Sequence, residues 1–258
     1  MNPGAEAKVY FVGAGPGDPE LLTVKAHSLI GRGDVILHDD LVSAPIISLA
    51  GTNARVVNVG KRCGAKAITQ EEINRLMISF AQRGMDVVRL KGGDPSIFGR
   101  LGEEITALAD AGIAFEVVPG ITAAVAAAAR LATPLTDRRS SSKILIVSGH
   151  RACGTERGGE KEWAKLIAED TTLVVYMPGS DLSGLSRRLI EAGTSPEIPS
   201  IVVSNVSAPQ EQQLMTTLDG LFCAPVNASP SILLIGWALR GAKAHEFIKN
   251  EFCRVPVY

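Results

Sequence analysis

Paired cysteines are missing from this chain. Its four cysteines, Cys63, Cys153, Cys223 and Cys253, form no C-x-x-C pair, so neither a zinc site nor a disulfide framework is predicted. The four histidines are scattered and include no H-E-x-x-H, which leaves no metal centre to predict. An excess of one charge is lacking too. Lys and Arg number 26 against 27 Asp and Glu, for a net charge of -1, so nothing global draws the protein to nucleic acid or a membrane surface. An anionic ligand would have to meet positive charge arranged locally. No uninterrupted apolar run approaches the ~20 residues that cross a bilayer. Residues 1–7 lack the basic and apolar blocks of a secretory signal, and a reduced, cytoplasmic location is the expectation.

What the chain does have is glycine, 26 residues of 258, gathered at the ends of short apolar runs. That pattern predicts many tight strand-to-helix turns. Brief runs rich in β-branched residues at 9–12, 35–38, 56–59, 87–90, 115–118, 144–148, 173–176, 200–204 and 232–235 predict buried strands. The clearest helix spans 70–83. Thr69 and Glu72 have capping-box spacing, Ile73, Leu76, Met77, Phe80 and Ala81 form one stripe, and Gly84 is placed to end it. Another helix follows Asp181, with Leu182, Leu185, Leu189 and Ile190 inward and Gly193 as its stop. The alternation predicts an α/β fold with largely parallel sheets. Val118-Pro119-Gly120-Ile121-Thr122 closes one strand–helix series and opens another, starting with an alanine-rich helix up to Arg130. A domain boundary is therefore predicted there, giving domains 1–119 and 120–258.

Gly13-Ala-Gly15-Pro16-Gly17-Asp18-Pro19 follows the first run and looks like a dinucleotide-binding loop, with Asp39 placed downstream as a ribose acceptor. Asp18 argues against that. The dinucleotide fingerprint needs a small residue there, and a carboxylate would repel a pyrophosphate. Asp18 and Pro19 suit the N-cap and first position of a helix instead. A nicotinamide-dependent oxidoreductase stays open as an alternative.

The most specific segment is Arg89-Leu-Lys91-Gly92-Gly93-Asp94-Pro95-Ser96-Ile97-Phe98-Gly99-Arg100-Leu101-Gly102-Glu103-Glu104. It resembles the R-L-K-G-G-D-P-x-x-F-G-R-x-x-E-E motif of uroporphyrinogen-III C-methyltransferases, within the tetrapyrrole methylases. The resemblance runs in order through nearly the whole chain, including Asp39-Asp-Leu-Val42, Val59-Gly-Lys61-Arg62, Thr69–Asn74, Pro119–Ala124, Pro134-Leu-Thr136 with Arg138, Ser148-Gly-His150 and Tyr176-Met177. It implies two α/β domains of the tetrapyrrole methylase fold, with S-adenosylmethionine held in a cleft between them and S-adenosylhomocysteine as product. The contacts it implies are Pro16, Gly92, Gly93, Asp94, Ile97, Thr122, Ala123, Met177 and Val206. Independently of the resemblance, Gly92 and Gly93 would let a ligand reach the backbone, Asp94 could accept from ribose hydroxyls, and Pro119-Gly120 would open a helix with free amides.

The reaction implied is methyl transfer to carbons 2 and 7 of uroporphyrinogen-III, giving precorrin-2. Asp39 is the candidate proton acceptor, Lys61 the candidate donor, and Arg100 a third catalytic candidate, although an arginine stays charged and is a poor base. Arg62, Glu103 and Arg138 are candidate substrate contacts, with Arg139 a further cation. A methylase of a later corrin intermediate, or a diphthamide-type protein methylase, would keep the same cofactor site. The resemblance also implies a homodimer. Ser96, Leu101, Asp40 and Asp137 depart from the family pattern.

Overall fold

A computed structural model describes residues 7–60, 68–149, 163–165, 167, 170–224 and 229–243. The chain divides into two compact units, Met1–Ala123 and Ala124–Tyr258. The break falls between two alanines of the alanine-rich helix, slightly later than the boundary drawn before Gly120.

The first unit is built on five strands, β1 (Val9–Gly13), β2 (Val35–His38), β3 (Arg55–Asn58), β4 (Val87–Lys91) and β5 (Phe115–Val118). They lie in the order β3-β2-β4-β1-β5, and every neighbouring pair is parallel. Its helices are α1 (Val24–Arg32), the short α2 (Ala44–Ile47), α3 (Gln70–Gln82) and α4 (Leu101–Asp110). Successive side chains on a strand point to opposite faces. Thus Val12, Ile36, Val88 and Leu90 pack with Ala26, Leu29 and Ile30 of α1. Phe11, Leu37 and Val87 pack with Ile73, Met77 and Phe80 of α3 and Leu108 of α4. The predicted cap of α3 is present: Thr69 N–H donates to Glu72 Oε2 (2.7 Å) and Glu72 N–H to Thr69 Oγ1 (3.2 Å). Gly84, at φ +78°, follows its end in a left-handed conformation open to glycine.

The second unit holds α5 (Ala123–Arg130, whose first residue belongs to the first unit), β6 (Lys143–Ser148), β7 (Thr171–Tyr176), α6 (Leu182–Glu191), β8 (Pro199–Ser204), β9 (Gln212–Thr217) and β10 (Ser231–Ile235). The sheet order is β6-β7-β10-β8-β9. The expectation of largely parallel sheets fails here. Only β6 and β7 are parallel, while β7–β10, β10–β8 and β8–β9 are antiparallel. The cause is β9, which the sequence did not reveal. Its residues, Gln-Gln-Leu-Met-Thr-Thr, are half-polar because the strand lies at the sheet edge. It turns the chain back against β8, so β10 re-enters antiparallel. The edge strands β3, β5 and β6 are also less buried than expected, and β9 is equally open, since an edge is covered from one side only. Leu182, Leu185 and Leu189 of α6 join Leu173, Val175, Val202 and Leu233 in the core. Asp181 caps that helix by accepting from Gly184 N–H at 2.8 Å.

Candidate active site

All strands of the first unit run the same way, so their C-terminal ends share one edge. At the middle of that edge lie β1 and β4. The chain leaves β1 toward α1 on one face of the sheet and leaves β4 toward α4 on the other. Neighbouring strands with opposite exits open a crevice, and α/β ligands bind at such points.

Backbone alone forms the floor of this crevice. Ala14 N–H donates to Lys91 O (2.8 Å), Gly15 N–H to Gly93 O (3.1 Å) and Gly93 N–H to Gly15 O (2.8 Å). Gly13, Gly93 and Gly120 stack where β1, β4 and β5 end. A Cβ on Gly120 would lie 2.3 Å from Gly93 O and 2.8 Å from Gly13 Cα, and one on Gly13 would lie 2.5 Å from Gly120 N. Gly93 stands at φ +69°, and a Cβ there would have only Thr122 Cα near it, at 3.8 Å. At Gly92 a Cβ would meet Leu41 Cβ at 2.7 Å, so its missing side chain makes room for Leu41.

Asp94 ties the loops together. Its Oδ1 accepts from Ser96 N–H (2.8 Å) and Ser96 Oγ–H (2.5 Å), and its Oδ2 accepts from Gly120 N–H (2.9 Å). Ser96 therefore closes the turn. Burial alone would push Asp94 up, but the Ser96 hydroxyl and the Gly120 and Ser96 amides outweigh it and hold the carboxyl below its ordinary range. Because the folded-state value is the depressed one, this clamp acts above the ordinary pKa and is lost as pH falls through the depressed value. The amides expected to be free after Pro119 are not all so: Gly120 N–H is taken by Asp94, and Ala124 N–H donates to Tyr176 Oη at 3.1 Å. The helix itself starts at Ala123. Pro16 and Ile97 are half-buried in the loops after β1 and β4, and Thr122 and Ala123 are half-buried after β5.

Asp18 sits where the sequence placed it, as cap of a single 3-10 turn, Pro19–Leu21, with its carboxylate on Glu20 N–H at 2.9 Å. The α-helix starts only at Val24. A pyrophosphate would meet a carboxylate and an occupied amide here rather than a free helix N-terminus.

Asp39 follows β2, next to β4. Its Oδ1 accepts from Leu41 N–H (3.0 Å) and its Oδ2 faces Gly92 N–H at 3.4 Å, which brings it to the glycine turn. Asp40 instead accepts from Asn58 Nδ2 at 2.9 Å, holding the end of β3. Lys61 and Arg62 lie outside the described residues. Arg100 precedes α4 at φ +54° and grips Glu103 with two bonds, Nε to Oε1 (2.7 Å) and Nη2 to Oε2 (2.6 Å). The Arg100 hydrogen bond holds Glu103 below its ordinary value, and the Glu103 bond raises Arg100 further. Both groups are about half-exposed. The structure adds a buried cluster of Arg89, Lys91 and Glu104. Two cations two residues apart in an otherwise apolar strand, Val-Val-Arg-Leu-Lys, were the available signal.

In the second unit β7 and β8 both run antiparallel to β10, so their C-terminal ends share an edge. Met177 lies just beyond β7, 42% exposed and at φ +50°. Val206 lies just beyond β8, buried between Asn205 (φ +52°) and Ser207 (φ +60°). Arg138 is exposed. Arg139 is bound to Asp137 through Nη2–Oδ2 (2.9 Å) and its own N–H to Oδ1 (2.8 Å), and these bonds lower the Asp137 carboxyl to about 2. Asp137 thus occupies Arg139, and Arg138 beside it has no ion pair among the described residues.

Five parallel strands with a glycine-floored crevice, followed by a mixed sheet, define a two-domain α/β protein of the methylase type. The chain belongs to the tetrapyrrole (corrin/porphyrin) methylases, whose family model matches residues 8–221. It is 42% identical to the uroporphyrinogen-III C-methyltransferase of Paracoccus denitrificans over 96% of this chain and 84% of that one. It is 44% identical to siroheme synthase 2 of Cronobacter sakazakii over 89% of this chain but 50% of that one. The chain thus spans about half the length of the siroheme synthases it matches. The crystal structure of uroporphyrin-III C-methyltransferase from Thermus thermophilus complexed with S-adenosylhomocysteine matches with TM-score 0.77 and 36% identity, over 91% of this chain and 99% of that one.

Proposed function

We propose that this protein transfers methyl groups from S-adenosylmethionine to carbons 2 and 7 of uroporphyrinogen-III, giving precorrin-2 for sirohaem- or cobalamin-type synthesis. The observation that carries this is the crevice at β1 and β4. It has a side-chain-free floor at Gly13, Gly93 and Gly120, a carboxylate at Asp94 and an apolar neighbour at Ile97. Small, apolar and hydrogen-bond-accepting groups fit an adenosine, whereas Asp18 and Asp94 oppose a pyrophosphate. The relatives' names and the S-adenosylhomocysteine complex of the Thermus protein support the same reading.

The cofactor contacts proposed are Pro16, Gly92, Gly93, Asp94, Ile97, Thr122 and Ala123, with Met177 and Val206 from the second unit. When bound, S-adenosylmethionine supplies an electrophilic methyl group on a sulfonium. Asp39 is proposed to accept the proton that the methylated ring must lose, and Lys61 to donate one. Arg100 serves as a fixed cation rather than a base, because Glu103 strengthens its protonation. Arg62 and Arg138 complete the contacts to the substrate's carboxylates. A homodimer and a cytoplasmic location belong to the same proposal. Among the described residues, no helix is long and apolar enough to cross a membrane.

S-adenosylhomocysteine should bind and raise the melting temperature, since a ligand of the native state alone stabilises it, and NAD should do neither. Calorimetric titration with both decides this; tight NAD binding with no response to S-adenosylhomocysteine would overturn the proposal. Anaerobic incubation with S-adenosylmethionine and uroporphyrinogen-III, followed by mass analysis, should show a product heavier by two methyl groups.

The substrate contacts have their own test. A guanidinium fork binds a carboxylate through two parallel bonds, so Arg100→Leu and Arg138→Leu should each weaken tetrapyrrole binding about ten-fold while sparing S-adenosylhomocysteine. Both cations are exposed, so wild-type affinity should also fall as salt shortens the screening length to ~10 Å near 0.1 M. Unchanged affinity in both variants, with no salt dependence, would place the substrate elsewhere.

A further inference from the structure

Beside the crevice, the first unit buries three charged groups with no role in the scheme above. Glu104 is fully buried in α4. Its carboxylate accepts from Arg89 Nε (3.0 Å) and Lys91 Nζ (2.6 Å) on β4 and from Gln70 Nε2 (3.2 Å) at the start of α3. Burial, and then the neighbouring Arg89 guanidinium, push Lys91 below the ordinary lysine value despite Glu104. Such a cluster is a poor source of stability, since apolar side chains of the same volume often serve as well. What it adds is geometry. Successive helical residues project about 100° apart, so anchoring Glu104 inward turns Glu103 outward, where it grips Arg100.

The loop between these groups needs holding. Phe98 and Arg100 stand at φ +51° and +54°, a left-handed conformation that persists in larger residues only where the surroundings over-determine it. Between them, Gly99 rests on Lys91 itself: a Cβ there would lie 3.0 Å from Lys91 Cε and 2.5 Å from Pro95 O. One lysine therefore supports the loop with its stem and anchors the following helix with its ammonium, one residue before the glycine turn.

We propose that Lys91 and Glu104 are positioning residues for the methyl-transfer site. Their buried contact holds the Phe98–Arg100 loop in its left-handed form and so presents Arg100 and Glu103 to the tetrapyrrole. This rests on the substrate role proposed above for Arg100.

A double-mutant cycle tests it, using wild type, Lys91→Met, Arg100→Leu and the double variant. Each is titrated with uroporphyrinogen-III under anaerobic conditions and with S-adenosylhomocysteine. Lys91→Met keeps the stem and leaves a neutral Arg89–Glu104 pair, so the fold should survive. Each single change should weaken tetrapyrrole binding about ten-fold, and the double variant should be no weaker than Arg100→Leu to within about two-fold, because residues acting through one another are not additive. S-adenosylhomocysteine affinity should stay within about two-fold throughout, which a general loss of structure would not allow. If Lys91→Met loses S-adenosylhomocysteine binding, Glu104→Gln, which keeps the shape of the carboxylate but can no longer accept at both oxygens from Arg89 and Lys91, carries the same cycle. Wild-type tetrapyrrole affinity in the variant of the buried pair, or losses that multiply in the double variant, overturns the positioning role alone. Wild-type affinity in Arg100→Leu overturns the role given to Arg100 and this inference with it.

Discussion

Gly120→Ala should abolish S-adenosylhomocysteine binding and destabilise the first unit. The added methyl carbon would lie 2.3 Å from Gly93 O and 2.8 Å from Gly13 Cα, and all of these are backbone atoms that no rotamer change can clear. Relief requires moving the end of β5 away from β1 and β4, which also breaks the Gly120 N–H bond to Asp94. Overpacking of this kind costs about 3 kcal/mol or more, on the order of 10 °C in melting temperature for a chain of this size. Gly102→Ala is the matched control. It lies in α4 with nothing within 4 Å of its would-be Cβ, and alanine is the better helix former. Melting curves with and without S-adenosylhomocysteine read both effects. A Gly120→Ala protein that keeps wild-type ligand affinity would show that the stacked strand ends are not the cofactor's floor.

Asp39→Asn should lower turnover about 100-fold or more, the usual contribution of a general base, and leave S-adenosylhomocysteine affinity within a few-fold. The substitution is selective. Asparagine keeps a carbonyl oxygen for Leu41 N–H, which Asp39 Oδ1 now holds at 3.0 Å. It gives up only the second oxygen, whose 3.4 Å approach to Gly92 N–H is long. Shape and turn are thus retained and basicity is removed. Turnover measured at saturating tetrapyrrole separates the cases: an unchanged value would return Asp39 to the structural role of shaping the turn after β2.

The elements that sequence determined are those whose cause is local. The capping box at Thr69 and Glu72 and the caps at Asp18 and Asp181 are bonds between residues two or three apart. Nine of the ten strands carry a dense apolar run. β9 does not, because an edge strand can be half-polar, and without it the antiparallel course of the second sheet could not be foreseen. The glycine-rich turns were visible as residues, but what each glycine is for was not. Gly120 is fixed by Gly13 and Gly93, Gly92 by Leu41, and Gly99 by Lys91 and Pro95, partners that in most cases lie far away in sequence. The same holds for charge. Sequence marked Arg89, Lys91, Arg100, Glu103, Glu104, Asp137, Arg138 and Arg139 alike as ionisable. Tertiary structure decided that Glu104 is shared by two buried cations, that Arg100 belongs to Glu103, and that Asp137 takes Arg139 and leaves Arg138. Pairing of charges depends on distance and burial, and both are set by how strands and helices far apart in the chain come together.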